Sequence, residues 1–229
     1  IKTFLIYYLM EDINYDELVC YFIISCKKNE DLHENFTNKN EFIIVGDESI
    51  DEKYILTENK LTLKVNDGYL GLPQKVILAY EAFIRMKEFD QYTHVYKIDD
   101  DCKIFKKISK EFYDFINRHP YSGAVCNYVT YPRSGKRNWH LKYKHDEKEY
   151  WANKEYNGHY VPWLRGSNYT LSKALITKIN RIWHHDNLDL LGKTEVFEDL
   201  AIGKVCFFLN VCLSVFPKDL KPVKDEFEL

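Results

Sequence analysis

Apolar residues follow two rhythms along this chain. Thr3–Leu9 (TFLIYYL), Leu18–Ser25 (LVCYFIIS) and Glu41–Val45 (EFIIV) are short unbroken runs rich in β-branched and aromatic residues. Runs of that length and composition predict buried strands, although the second is also compatible with a short helix. Gly46-Asp47 stops the third run, and Leu61–Val65 predicts a fourth strand. The period then changes. Across Leu72–Lys87, positions Val76, Ile77, Tyr80, Phe83, Ile84 and Lys87 keep helical spacing. Pro73 suits the first turn of that helix, where the N–H it lacks has no partner to lose. Thr93–Ile98 returns as a strand. Ser109 caps a predicted helix to Arg118, with Phe112, Phe115 and Ile116 on one side. Ala124–Thr130 predicts a strand, Ser172 caps a helix to about Trp183, and Glu198–Leu209 predicts the last helix. Tyr131–Pro162 is long, polar and aromatic, and predicts surface loops or a small hairpin.

Strands alternating with helices predict an α/β sandwich whose central sheet is mostly parallel and flanked by helices. No internal repeat, low-complexity tract or Pro/Gly/Ser linker interrupts the pattern, so a single domain spanning residues 1–229 is expected.

One short stretch departs from the rule that apolar flanks enclose apolar residues. His94–Phe105 reads HVYKIDDDCKIF and sets three carboxylates side by side between two apolar runs. Adjacent like charges entering a core are costly unless something positive meets them. On a strand, Asp99 and Asp101 would face one way and Asp100 the other. In a parallel sheet the triplet would sit at the C-terminal edge, where open α/β sheets bind ligands. Two carboxylates on one side form an oxygen seat for a hard cation. Mn²⁺ or Mg²⁺ suits it better than Zn²⁺, and positions left open on the ion suit a diphosphate. A plain acidic turn carries about equal weight on this motif alone.

Composition narrows the class. The chain is 45% hydrophobic and 29% charged, which fits a globular protein, and its net charge of −3 gives no ground for a nucleic-acid partner. No apolar run approaches the roughly 18 residues of a membrane span, and no signal peptide is visible. The six cysteines form no CxxC pair and sit mostly in apolar runs, so buried thiols are expected, with room for a disulfide or two. Asn35-Phe-Thr37 and Asn168-Tyr-Thr170 are glycosylation triplets of a kind that arises by chance.

Four separated segments share an order and spacing. They are Asp67-Gly-Tyr-Leu-Gly-Leu-Pro-Gln-Lys75, Tyr96-Lys-Ile-Asp-Asp-Asp101, Tyr160-Val-Pro-Trp-Leu-Arg-Gly-Ser-Asn-Tyr-Thr-Leu-Ser172 and Glu198-Asp-Leu-Ala-Ile-Gly203. Together they resemble the D-x-Y-x-x-L-x-x-K, K-x-D-D-D, Y-P-x-Y-x-x-G-x-x-Y-x-L-S and E-D-V-x-x-G stretches of the β-1,3-galactosyltransferase and Fringe-like group of GT-A, DxD-bearing glycosyltransferases. The resemblance implies a GT-A (Rossmann-like) fold, with residues to about 105 binding the nucleotide sugar and the remainder binding the acceptor. It implies a nucleotide-sugar donor, UDP- before GDP-linked, a Mn²⁺ or Mg²⁺ ion, inversion at the anomeric carbon, and a glycan, glycoprotein or glycolipid acceptor. Asp101 would be the principal metal ligand, with Asp99 at the metal or donor ribose. Asp100, Lys75, Asp67, Gly166 and Ser167 would line the donor and acceptor crevice. Asp199 would be the general base, with Glu198 beside it. The group uses a His downstream of its E-D motif as a further metal ligand, whereas this chain has none after His185. Either carboxylates, phosphates and water suffice, or a segment beyond these residues supplies it. The chain opens at Ile1, and a soluble viral or microbial relative, cytoplasmic, is expected. The Golgi lumen is the alternative if an anchor precedes Ile1.

Sugar transfer needs three things: a cation against the leaving diphosphate, a base for the attacking hydroxyl, and exclusion of water. Trp139, Trp151, Tyr160 and Trp163 are the candidate cover. At a helix start, the dipole lowers a carboxylate's pKa, so orientation and desolvation are expected to tune Asp199. Simpler readings stand beside these. Glu198 and Asp199 fit ordinary helix-start acids, Lys75 a solvent-facing lysine, Gly203 a helix–helix contact and His184-His185 a solvated helix end. Arg133, Lys136 and Arg137 fit an ordinary basic loop. A metal-dependent nucleotidyltransferase or a non-catalytic carbohydrate-binding domain are the competing functions.

Overall fold

Runs with no polar interruption bury both faces of a strand, and the centre of this molecule is built from them. The computed structural model of the chain describes residues 13–127, 161–195 and 197–224. β1 (Val19–Ile24) and β2 (Glu41–Gly46) are buried at every position. The LVCYFIIS run is therefore a strand and not a helix. β3 (Tyr54–Thr57) and β4 (Lys60–Leu63) form an antiparallel hairpin at one margin. Glu58 turns that hairpin with a φ of 54°. The predicted strand Thr3–Leu9 lies outside the described residues.

α1 (Leu72–Arg85) follows with Pro73 in its first turn, and β5 (His94–Asp99) returns to the sheet. β6 (Lys103–Ile104) leads to α2 (Lys110–Arg118), capped by the Ser109 hydroxyl, which accepts from the Phe112 amide at 3.2 Å. Only Phe112 and Ile116 of α2 are buried; Phe115 packs at the margin of the core. A separate strand, β7 (Tyr121–Gly123), precedes the strand expected over Ala124–Thr130, of which the described residues show β8 (Cys126–Asn127); residues 128–130 lie outside the described residues. The chain leaves the main sheet between them: the Ala124 amide still bonds the Asn168 carbonyl, whereas β8 pairs with β9 (Trp163–Leu164) in a separate ribbon. Most of Tyr131–Pro162, with Trp139, Trp151, Tyr160 and the basic cluster, lies outside the described residues. β10 (Asn168–Ser172), α3 (Lys173–Ile182), α4 (Leu188–Thr194), α5 (Glu198–Phe208), β11 (Ser214–Val215) and β12 (Val223–Lys224) complete the order. Ser172 caps α3 by accepting from the Leu175 amide at 3.3 Å.

The main sheet has eight strands in the order β11-β7-β10-β5-β1-β2-β4-β3. Every neighbouring pair is parallel except those made by β10 and β3, so the sheet is mixed but largely parallel. Alternate side chains of β1 enter two cores. Cys20, Phe22 and Ile24 meet α1, α3, α4 and α5, while Val19, Tyr21 and Ile23 meet α2 and Phe216 on the other face. The thiols of Cys20, Cys102 and Cys206 are buried, Cys26 is half-buried and Cys212 exposed, all of them free.

Topology brings the site together. β1, β2 and β5 run parallel and end at one edge, with Ile24 opposite Asp99. β10 runs against β5 and so starts at that same edge, with Asn168 opposite Ile98. The Asp triplet and Gly166-Ser167 are therefore neighbours, although 65 residues separate Ser167 from Cys102.

Candidate active site

β5 places Lys97 and Asp99 two residues apart on one face of the strand. The Lys97 side chain is 1% exposed. Its ammonium donates to Asp99 Oδ1 at 2.5 Å and to the Gly166 carbonyl, and lies 3.8 Å from Glu198 Oε2. The Tyr169 ring lies 5.9 Å from the same nitrogen. Burial alone would pull this ammonium's pKa down, but the charges of Asp99 and Glu198 outweigh it and the net shift is upward. Lys97 is thus the positive charge that the Asp triplet requires.

α5 brings the second acid pair. Glu198, 3% exposed, accepts the Tyr169 hydroxyl at Oε1, and Tyr169 in turn meets the Tyr80 hydroxyl at 2.9 Å. Burial pushes the Glu198 carboxyl up to about 7, against the pull of Lys97. Asp199 is half-buried. Its Oδ2 accepts from Trp163 Nε1 at 3.1 Å and from the Gly166 amide at 3.2 Å, and its Oδ1 accepts from the Leu200 amide at 2.8 Å. Burial outweighs the helix end here, and the net shift of its pKa is upward despite the Leu200 amide. Gly203 makes the Trp163 contact possible. A Cβ there would lie 2.5 Å from Trp163 Cβ, so this glycine serves a helix–strand contact and not a helix–helix one.

The remaining predicted residues divide into those at the carboxylate cluster and those that brace it. The strand ends at Asp99, so alternation does not extend to Asp100 and Asp101, which occupy a turn. Asp101 is half-buried, with Cys102 Sγ 3.9 Å from its Oδ1. The Oδ2 of Asp100 faces back toward the end of β1, accepting from Ser25 Oγ at 2.6 Å and Asn29 Nδ2 at 2.8 Å. Ser25 Oγ also lies 2.8 Å from His33 Nε2. The Ser167 carbonyl accepts from the Asp99 amide at 3.0 Å and from Cys102 Sγ at 3.4 Å. Lys75 is not solvent-facing. It is 2% exposed and donates to Asp67 Oδ1 at 2.7 Å and to the Ser25 carbonyl at 2.8 Å. Asp67 also accepts from the amides of Gly46 at 2.6 Å and Lys27 at 2.7 Å. His184 and His185 belong elsewhere: His184 caps a short turn, and the His185 amide donates to Glu81.

Among the described residues, no group of three or more His, Cys, Asp or Glu could hold a metal ion by itself. Asp99 and Asp101 offer oxygen ligands only, Asp99 being partly satisfied by Lys97, while Asp100 is turned to Ser25 and Asn29. That set fits Mg²⁺ or Mn²⁺ arriving with a phosphate-bearing partner, and does not fit a closed Zn²⁺ site.

Three residues at the site carried no assigned role in the sequence reading. Lys97 stood within the K-x-D-D-D stretch, and its position two residues before an acid, between apolar neighbours, was the available signal. Tyr69 stood within the D-x-Y stretch; burial raises its pKa, and the charges of Asp199, Asp99 and Glu198 act on it in that order. Tyr169 stood within the G-x-x-Y-x-L-S stretch, but its pairing was not legible because its partner Glu198 is 29 residues away.

Comparison with known families matches the model described as Galactosyltransferase over residues 26–212, a span that contains Asp67, Lys75, Lys97, the Asp triplet, Gly166, Ser167, Glu198 and Asp199. Comparison with curated proteins gives no match.

Proposed function

The chain belongs to the galactosyltransferase family and is a glycosyltransferase; from that premise we propose that it moves a sugar from a UDP-sugar to a hydroxyl of a glycan acceptor, with inversion and with the help of Mn²⁺ or Mg²⁺. In this reading residues 1–229 form one domain, with the donor held by the part up to about residue 105 and the acceptor by the rest. The supporting observation is the bridge from Asp99 through Lys97 and Gly166 to Asp199, which joins the acid triplet to the α5 acids in a single site.

Asp199 takes the proton of the acceptor hydroxyl as that oxygen bonds the anomeric carbon and the donor's bond to its diphosphate oxygen breaks. Its Oδ2 is turned by Trp163 and Gly166, while Oδ1 accepts the Leu200 amide and, among the described residues, has a lone pair left for the hydroxyl. Burial raises its basicity above that of an exposed aspartate, which favours proton acceptance in the transition state. Glu198 is not placed to do this work, because Tyr169 occupies its Oε1 and Lys97 faces its Oε2. Its part is to balance the buried ammonium. Asp101 and Asp99 would hold the cation, which supplies charge neutralisation for the departing diphosphate. Trp163 is buried and orients the base through its indole N–H.

A thermal-shift panel of UDP- and GDP-sugars, each with and without Mn²⁺, tests the reading. One UDP-sugar should raise the midpoint only when Mn²⁺ is present, and with oligosaccharide acceptors it should release UDP. Asp101→Ala should lose both responses while keeping the wild-type circular dichroism. Release of pyrophosphate instead of UDP, or full transfer by Asp101→Ala in chelated buffer, rejects the mechanism.

A further inference from the structure

Lys97 is buried at the point where three chain segments meet, and its contacts are unequal. Two are hydrogen bonds, to Asp99 Oδ1 at 2.5 Å and to the Gly166 carbonyl. The third, to Glu198 Oε2, is 3.8 Å long and beyond hydrogen-bond range. A lysine present only to neutralise Glu198 would be expected to bond it directly. Here Glu198 gives its Oε1 to the Tyr169 hydroxyl, and the ammonium's directed bonds go to the triplet and to the 165–167 loop. Gly166 is held from both sides, since its carbonyl accepts from Lys97 and its amide donates to Asp199 Oδ2 at 3.2 Å. One residue, through the two peptide units that flank its Cα, therefore stands between the donor-side carboxylate and the candidate base.

We propose that Lys97 is a positioning residue, which fixes Asp99 relative to Asp199 by gripping Gly166. The proposal rests on the glycosyltransferase reading for its catalytic consequence, but not for its structural one. An ammonium can serve both ends because its three N–H bonds are arranged tetrahedrally, and burial leaves no water to compete for them. Space confirms how closely the parts fit: a Cβ on Gly166 would lie 3.3 Å from Glu198 Oε2 and 3.4 Å from Asp199 Cβ. Losing the grip would let the loop and the base drift, and a displacement of about 1 Å costs about 100-fold in rate.

The test must separate positioning from charge balance. Lys97→Met alone leaves Asp99 and Glu198 facing each other without a cation, so it is paired with Lys97→Met/Glu198→Gln, in which the buried charge is removed together with its partner. Three quantities are measured: melting midpoint, exchange of the Gly166 amide by NMR, and kcat with KM for the donor. In the double variant the midpoint should recover to within about 5 °C of wild type. Gly166 should still exchange about 10-fold faster and kcat should stay about 100-fold down, with donor KM changed by less than about 3-fold. Recovery of Gly166 protection and kcat together with the midpoint overturns the proposal and leaves Lys97 as a counter-ion. Lys97→Gln, which keeps an N–H donor without the charge, gives a second route. Protection should then fall in the order wild type, Lys97→Gln, double variant, and equal protection in all three also overturns the proposal. If wild type transfers no sugar, the functional reading fails while the exchange data still decide whether Lys97 holds Gly166.

Discussion

Two ammonium groups are buried at the same edge of the sheet, and their company differs. Lys75 meets one carboxylate, Asp67, and two carbonyls, those of Ser25 and Asp67. Asp67 spends its remaining capacity on the amides of Gly46 and Lys27. Charge is balanced one to one, and the contacts tie α1 and the end of β2 to the segments that hold Ser25, Lys27 and Asp67. Lys97 stands among three carboxylates: it bonds Asp99, faces Glu198, and reaches Asp199 through Gly166. Two of the three have pKa values raised by burial. A balanced buried pair of the first kind holds a fold together. An excess of buried acid around one cation costs stability, and it persists where the chemistry needs it.

The strongest way to break this comparison is to remove one carboxylate from each place. Asp199→Asn should lower kcat by about 10²–10⁴-fold, the usual contribution of a general base, and leave the urea midpoint near that of wild type. Asp67→Ala should do the reverse. It strands the buried Lys75 ammonium and two amides, and should cost about 3 kcal/mol in urea unfolding while the remaining folded protein still turns over. Gly46→Ala should behave like Asp67→Ala, because its Cβ would lie 2.7 Å from the Val65 carbonyl oxygen, and backbone cannot move aside. If Asp67→Ala abolished transfer with no loss of stability, Asp67 would belong to the site and the distinction would fall.

The elements of the fold were legible where their cause is local. Ser109 and Ser172 cap their helices through amides three residues away, and the runs VCYFII and EFIIV are buried whatever their partners. The candidate site was legible as four spaced motifs. What those motifs do to one another was not, because it depends on pairing. Insertion of β10 against β5 brings Gly166 to Lys97 across 69 residues, and no local pattern encodes that. The same cause explains what else was not legible. Lys75 reads as a donor-crevice residue or, more simply, a solvent-facing lysine, and its burial was hidden because the carbonyl that receives it, Ser25, is 50 residues distant. The helix end of Asp199 was visible, whereas the burial that raises its pKa was not. That Cys126–Asn127 would leave the main sheet was hidden too, because its partner β9 lies across the segment outside the described residues.

A smaller effect sharpens the comparison through pH. Glu198 has an ordinary value of 4.5, raised by burial to about 7 in the native state. Between those two values the native protein binds the proton more tightly than the unfolded chain. This group's contribution to stability is therefore complete below about pH 4.5, is lost as pH rises to about 7, and stays lost above. His94 works in the opposite sense. Burial lowers it from 6.5 to about 4, so its contribution is lost as pH falls through that window. The raw stability curve mixes the two, and the difference between wild type and Glu198→Gln isolates the first. Relative to wild type, Glu198→Gln should gain stability steadily from pH 4.5 to 7 in urea titrations. A difference that stays constant with pH would mean that Glu198 is ionised throughout, and the Lys97 centre would then be closer in kind to the Lys75 pair.

The smallest expected effect tests how much slack the acidic centre has. Gly166→Ala adds one methyl group, with 3.3 Å to Glu198 Oε2 and 3.4 Å to Asp199 Cβ. Both neighbours are side-chain atoms and can give by a few tenths of an ångström, unlike the Val65 carbonyl that meets Gly46. Stability should therefore change by less than about 1 kcal/mol. Rate should respond more than stability, because the methyl group displaces the Glu198 carboxylate that faces Lys97, and a shift well short of 1 Å passed on through Lys97 and Gly166 still misplaces a proton acceptor; a loss of about 3- to 10-fold in kcat is expected. Parallel measurements on Gly46→Ala and Gly166→Ala then give opposite ratios of stability loss to rate loss. Equal ratios would show that the balanced pair and the acid-rich centre tolerate crowding alike, and that the difference in charge between them has no counterpart in how tightly each is built.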